Sequence, residues 1–297
     1  MRCDAKFFGL KNLPHIDISQ DAMEEMARES ISMGLTVPGV QKKLSLHLSD
    51  EESGRLTLVG YPAGYILKPQ TENFEQLPEA EDLVMDIADL MGTRTVPHGL
   101  VEVNGELAYI CKRVDRLDGE VLAMEDFCQI SGRLTQDKYR SSYEKCGSII
   151  RSYSQMTGFD LSEFFLRLVI CFITGNSDMH LKNFSLIERT PASREFILSP
   201  AYDLLPVNLI MPEDTEETAL TLNGKKSRLR REDFLKLAET IGVPEKAASK
   251  MIASTIAKTG KAEELVRKSY LSEEMKIKMN EMMEERSKRL MSFEKTG

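Results

Sequence analysis

Apolar residues recur at positions 161, 164, 165, 168, 169 and 172, a spacing that predicts a buried helix over 161–174. Asp160 is expected to cap its start, with Glu163 reaching back toward the cap. Polar residues then arrive abruptly at 175–183, followed by a short apolar run at 184–187 that reads as a strand and a return strand at 194–198. Upstream, Leu44, Leu46 and Leu48 alternate as one face of a strand. Residues 55–59 and 64–68 read as a strand pair, and 78–91 as a helix with Leu83, Val84, Ile87, Ala88 and Met91 on one face. Strands at 95–100 and 106–112 flank Asn104-Gly105, a hairpin turn signal. A short helix is expected at 17–29, capped by Ser19 or Asp21, and amphipathic helices at 231–241, 244–259, 261–270 and 272–293. The pattern is α+β, with a β-rich part at about 1–112 and a mainly helical part at 113–297.

Composition narrows the class without naming it. At 297 residues, 41% hydrophobic and 29% charged, the chain has ordinary globular values. A net charge of −8 argues against general attraction to nucleic acid or an anionic membrane. The one basic cluster, 223–231, reads first as a solvated turn before a helix. Its sharper reading is a docking patch for DNA or a nucleic-acid-bound protein, with no interleaved aromatics to support single-strand binding. Cysteines 3, 111, 128, 146 and 171 are odd in number and lack metal-like spacing, a reduced, cytoplasmic usage. No apolar run reaches membrane-spanning length, and the first residues do not open a signal peptide.

The candidate chemistry lies in the polar stretch, where Asn176, Asp178, His180, Lys182 and Asn183 crowd together. Phosphoryl transfer needs a carboxylate facing the attacking hydroxyl and oxygen ligands for Mg²⁺. The Asp178-to-Asn183 offset is that of kinase catalytic loops, and Asp203, after the return strand, is the candidate second metal ligand. A lysine ending an apolar strand, Lys68, is commonly a solvated end; in a kinase-like lobe it binds phosphates. Glu81 is its expected helix partner, with Glu79 second. Gly34 and Gly39 around Pro38 make a turn rich in backbone N–H groups, suited to covering phosphates or to a plain surface loop. Two other classes fit the same residues: a metal-dependent hydrolase using Asp178, His180 and Asp203, and a non-catalytic scaffold. Against the hydrolase, His15, His47 and His98 are scattered far from the cluster.

Asn-Ser-Asp-Met-His-Leu-Lys-Asn-Phe-Ser-Leu at 176–186, followed by Ser-Pro-Ala-Tyr-Asp-Leu-Leu at 199–205, resembles the catalytic and metal-binding segments of HipA-type serine/threonine kinases. The resemblance runs over roughly 28–240 and implies a two-lobed protein-kinase-like fold with ATP between the lobes. It implies Asp178 as catalytic base, His180 and Lys182 as supporting residues, and Asn183 and Asp203 as Mg²⁺ ligands. Leu67-Lys68-Pro69 matches the family's lysine element, and 39–43 its nucleotide-covering loop, which places Gly34, Val37, Gly39, Gln41, Lys43, Lys68, Glu81, Lys112 and Val114 around the nucleotide. Val114 stands where the family's interlobe hinge usually carries an aromatic; Asp126 and Gln129 fall in a further matching segment as structural or cleft-lining residues. Self-phosphorylation in the covering loop is expected at Ser30 or Ser32, in a setting similar to the short HipT-like branch, with Thr36 weaker. Only about thirty residues precede that loop, fewer than in longer members. The resemblance therefore implies a separate small protein in place of an N-terminal subdomain, a helix-turn-helix antitoxin, DNA contact only through it, and an aminoacyl-tRNA synthetase as substrate.

Overall fold

The computed structural model describes residues 5–10, 14–16, 18, 43–49, 54–60, 63–117 and 120–291. The expected helix at 17–29 apart from Ile18, the loop residues Ser30, Ser32, Gly34, Thr36, Val37, Gly39 and Gln41, and the end of the last helix beyond 291 lie outside them. Two compact units divide the chain: Met1–Asp82 with Val96–Arg116, and Leu83–Thr95 with Leu117–Gly297.

The first unit is built on a six-stranded sheet. A short helix α1 (Ala5–Phe8) and strand β1 (His15–Ile16) precede β2 (Leu44–Leu48), β3 (Arg55–Leu58) and β4 (Tyr65–Lys68). Helix α2 (Leu77–Met91) follows and runs on into the second unit; β5 (His98–Val103) and β6 (Glu106–Lys112) complete the sheet. The order is β1-β3-β2-β4-β6-β5, with β1 parallel to β3 and the other pairs antiparallel. Strands 55–59 and 64–68 are therefore not partners. Both pair with β2, whose Leu44 and Leu46 are fully buried between them, so the alternating strand takes the centre of the group. Leu46, Leu56, Leu67 and Ile110 pack with Phe8, Tyr65 and Val101 in one core. The β5–β6 hairpin closes through Asn104 and Gly105 at φ 53° and 85°, the left-handed pair that an Asn-Gly two-residue turn supplies. Its first strand begins three residues later than the pattern suggested, at His98.

The second unit is mainly helical around a three-stranded sheet. Strand β7 (Met124–Asp126) leads into α3 (Phe127–Ile130), and α4 (Tyr143–Tyr153) into α5 (Thr157–Thr174). Strands β8 (Ser185–Glu188) and β9 (Phe196–Leu198) form a hairpin, with β8 in the middle of the sheet against β7. After α6 (Val207–Ile210), helices α7 (Arg231–Ile241), α8 (Glu245–Ala257), α9 (Thr259–Lys268) and α10 (Glu273–Met291) complete the unit. No helix among the described residues is long and apolar enough to cross a membrane.

Helix α5 is the axis of this unit, and Phe164, Phe165, Val169, Ile170, Phe172 and Ile173 have no exposure at all. It begins a turn before the expected cap. Asp160 instead accepts from Ser154 Oγ at 2.6 Å and from the Leu198 amide at 2.7 Å, while Glu163 accepts from the Arg94 amide at 3.0 Å. A buried carboxylate with amides from other segments in reach is worth more to the fold as a cross-brace than as a cap. The helix ends at Gly175, φ 77°, where the amides of Gly175 and Asn176 turn back to the carbonyls of Phe172 and Cys171.

In the basic run at 225–231, Lys225, Lys226 and Arg231 have partners inside the unit, while Lys225, Arg228 and Arg230 are exposed. Lys225 pairs with Asp233 at 2.8 Å and Lys226 with Glu216 at 3.0 Å, and buried Arg231 donates to the Leu290 carbonyl at 3.1 Å. Cys111, Cys128, Cys146 and Cys171 are buried.

Gly175→Ala is expected to lower stability by roughly 1–2 kcal/mol, because an L side chain must enter the left-handed region. The added Cβ also meets the end of Met282. Urea denaturation checks it; an unchanged midpoint would show that this turn does not set the helix end.

Candidate active site

The stretch from Gly175 to Phe184 is buried except for Asp178 and Lys182, which are partly exposed. Irregular backbone in a buried place must find its hydrogen bonds locally. Asn176 Oδ1 accepts from the Asp178 amide at 3.1 Å, and Asn183 Nδ2 donates to the Asp178 carbonyl at 2.9 Å. The His180 amide donates to that same carbonyl at 2.8 Å, drawing the loop into a tight turn that the 3₁₀ turn Leu181–Asn183 continues. From outside, the Tyr143 hydroxyl donates to the Met179 carbonyl at 3.1 Å, and the Leu181 amide to the Lys138 carbonyl at 3.2 Å.

With its amide nitrogen tied down, Asn183 keeps its Oδ1 as an acceptor. Lys182 reaches Asp126 at 3.2 Å, and Asp126 also caps α3 in a reciprocal box with Gln129. The Asp126 and Gln129 pair is thus structural and at the site's edge at once. Tyr139 donates its phenol to Asp178 Oδ1 at 2.7 Å, and its ring stands edge-on to His180 at 5.1 Å. His180 Nε2 lies 3.9 Å from Asp178 Oδ2.

His180 is 5% exposed, and burial lowers its pKa to about 4, against the opposing pull of the Asp178 and Asp203 charges. It is neutral at physiological pH. Asp203 is delivered by the segment after β9. The Ser199 amide donates to the Ser185 carbonyl, Ala201 to Arg94, and Arg167 reaches the Ser199 carbonyl at 2.9 Å. The Tyr202 hydroxyl donates to the Lys182 carbonyl at 3.2 Å, fixing the residue before Asp203 on the loop itself. Asp203 has φ 55°, a left-handed conformation that aspartate tolerates better than most side chains. Asp178, His180, Lys182, Asn183 and Asp203 therefore gather in one unit.

In the first unit, Lys68 ends β4 opposite Tyr109, with Nζ 2.5 Å from Glu81 Oε1. The pair is 2% and 0% exposed, and Nζ lies 5.2 Å from the Tyr109 ring centre. This is no solvated strand end. Of the two candidate carboxylates, Glu81 is the one on the lysine; Glu79 is half-buried nearby, its pKa raised chiefly by burial. Lys43 stands just before β2, and Lys112 lies over the rings of Phe7 and Tyr65 at 5.5 and 5.9 Å. Val114 sits in a turn whose Asp115 carboxylate is held by Arg113 and Arg116, each at 2.6 Å.

Sequence reasoning passed over Tyr139, Arg94 and Arg167. Tyr139 lies in a polar stretch without periodicity, and the two arginines act on carbonyls more than a hundred and about thirty residues away. No short-range signal announces such contacts. Among the described residues, no three His, Cys, Asp or Glu side chains form a group that would hold a metal alone, which leaves the hydrolase alternative without a ligand cage. Hard oxygen donors such as Asn183 Oδ1 and the Asp203 carboxylate fit Mg²⁺ bound jointly with phosphates.

The fold is α+β and protein-kinase-like. It matches HipA in the Shewanella oneidensis MR-1 toxin–antitoxin complex of HipA, HipB and operator DNA with TM-score 0.74 at 18% identity, over 87% of this chain and 65% of that one. It also matches the Helicobacter pylori proinflammatory kinase CtkA, TM-score 0.57 at 16% identity, over 79% and 88% of the two chains. The family model described as HipA-like C-terminal domain matches residues 35–263, so the chain belongs to that family. A Sinorhizobium fredii protein named "Putative kinase" is 33% identical over 235 residues, 72% of this chain and 56% of its own length. A "Putative kinase" of Haemophilus influenzae is 28% identical over 270 residues, 80% and 76% of the two. The chain thus spans little more than half of the first of these relatives.

A buried neutral histidine destabilises the fold in acid. The unfolded chain takes up a proton near pH 6.5 and the native state only near 4, so this contribution is full above 6.5 and is lost as pH falls. At pH 4.5 the loss is on the order of 2–3 kcal/mol. Urea denaturation of wild type and His180→Gln from pH 7.5 to 4.5 checks it; parallel pH dependences would contradict it.

Proposed function

We propose that this chain is an ATP-dependent serine/threonine protein kinase acting as the toxin of a bacterial toxin–antitoxin system. The observation that carries the reading is the catalytic loop itself: a buried turn in which almost only Asp178 and Lys182 reach solvent, with Asn183 oriented by its bond to the Asp178 carbonyl. In this reading Asp178 accepts the proton of a serine or threonine hydroxyl as its oxygen attacks. Asn183 and Asp203 hold Mg²⁺, which when bound offsets phosphate charge. Lys68, oriented by Glu81, binds ATP phosphates as a point charge. Lys182, paired with Asp126, and neutral His180 hold the loop in shape. Lys43, Lys112 and Val114, with Gly34, Val37, Gly39 and Gln41, belong to the nucleotide-binding set on the strength of the family pattern.

The partners follow from the same reading. The Shewanella HipA named above is in complex with HipB and operator DNA, which supports a helix-turn-helix antitoxin here and DNA contact through it. An aminoacyl-tRNA synthetase as substrate completes the proposal, with action in the cytoplasm.

The test is label transfer from γ-³²P-labelled ATP with Mg²⁺. Asp178→Ala is expected to reduce transfer at least about a hundredfold with the fold intact by circular dichroism. Phosphosite mapping of the wild-type protein is expected to find Ser30 or Ser32. Equal labelling of the variant would reject the kinase reading, and modification only at distant residues would reject the autophosphorylation site.

A further inference from the structure

Asp178 carries two carboxylate oxygens, and the structure treats them differently. Oδ1 accepts the Tyr139 phenol at 2.7 Å, while Oδ2 faces His180 Nε2 at 3.9 Å, beyond hydrogen-bond distance. One oxygen is held and the other remains available to an incoming hydroxyl. The Asp178 side chain as a whole is 42% exposed.

Tyr139 is 43% exposed, and three contacts hold it. The carbonyl of the preceding residue, Lys138, accepts the Leu181 amide at 3.2 Å, which ties the segment to the loop close to the aspartate-histidine turn. The ring lies edge-on to buried His180 at 5.1 Å, and the Lys138 ammonium lies 4.9 Å from its centre. Backbone, ring and hydroxyl are thus each fixed by a separate contact. Neutral His180 serves here as a packing wall for the tyrosine ring.

We infer that Tyr139 is a positioning residue for the catalytic base: its hydroxyl pins Asp178 Oδ1 so that Oδ2 faces the acceptor hydroxyl. The inference rests on the kinase reading of Asp178. Without the phenol, the Asp178 side chain can rotate about its Cα–Cβ and Cβ–Cγ bonds, and misplaced general bases lose rate steeply. Burial, with the Asp178 charge beside it, pushes the phenol above its usual range, so Tyr139 stays a protonated donor across the working pH.

The experiment uses the full chain with Mg·ATP. Tyr139→Phe keeps the ring and removes only the hydroxyl. Steady-state ATP turnover should fall roughly ten- to a hundredfold in kcat, the loss expected for one charge-assisted hydrogen bond. KM for ATP should stay within about twofold and the unfolding midpoint should not move, since the change affects neither nucleotide contacts nor packing. Replacing Tyr139 by 3-fluorotyrosine, which keeps the donor, should restore kcat. A second readout needs no activity. In protein labelled with ¹³Cζ-tyrosine, the Tyr139 signal, assigned by its absence in Tyr139→Phe, should shift on Asp178→Asn. Wild-type protein without turnover would reject the kinase reading, while the carbon signal still reports whether Tyr139 binds Asp178. A signal indifferent to Asp178→Asn, or a Tyr139→Phe variant as fast as wild type or faster, would overturn the inference; a faster variant would mean that the phenol competes for the acceptor's place.

Discussion

A loop that leaves a helix buried from Arg167 to Thr174, and itself stays largely buried, has to satisfy the polar groups of its backbone from inside the protein, and this constraint organises the second unit. Helix α5 brings the chain into the interior, and Gly175 turns it without a side chain in the way. From there to Phe184 the partners come from four directions: Asn176 and Asn183 within the loop, Lys138 and Tyr143 before α5, Tyr202 after the return strand, and Phe127, whose amide meets the Phe184 carbonyl at 2.9 Å. Each bond fixes a backbone atom, and together they leave Asp178 little freedom beyond its own side-chain rotations. Rigidity of the loop backbone is thus a consequence of burial.

The second constraint is that a buried ion must be paired. Lys68 and Glu81 lie almost wholly out of water, where a lone charge costs several kcal/mol, so each holds the other in place. The Asp160, Arg94, Glu163 and Arg167 group plays a similar part behind the segment that carries Asp203. Asp160 takes the Leu198 amide, Arg94 the Leu198 carbonyl, and Arg167 the Ser199 carbonyl, so the chain enters the segment before Asp203 under control on both sides. Such networks specify one geometry, which is what phosphoryl transfer asks of its protein, since positioning and charge supply most of the catalysis.

Much of this was legible because the chemistry is compressed in sequence. The buried helix, the polar loop and the strand after it are local patterns, and the Asp178-to-Asn183 spacing lies within a single turn of chain. The Asn104-Gly105 hairpin and the apolar face of α2 were readable for the same reason: each depends on neighbours a few residues away. What depended on distant partners was not readable. Strand 55–59 looked like the partner of 64–68 because it is adjacent in sequence, yet β2 inserts between them. Asp160 looked like a cap because a cap is local, whereas its ligands, Ser154 Oγ and the Leu198 amide, come from two other segments. Tyr139, placed on Asp178 from thirty-nine residues upstream, had no pattern to reveal it.

The central claim is that the Asp178–Asn183 loop and Asp203 serve a magnesium-bound nucleotide. Calorimetric titration with a non-hydrolysable ATP analogue, with and without Mg²⁺, tests it most directly. The account predicts wild-type binding at least about tenfold tighter with Mg²⁺, a dependence that disappears when Asn183→Ala and Asp203→Ala are combined. Nucleotide binding indifferent to Mg²⁺, or an unchanged Mg²⁺ effect in the double variant, would contradict it.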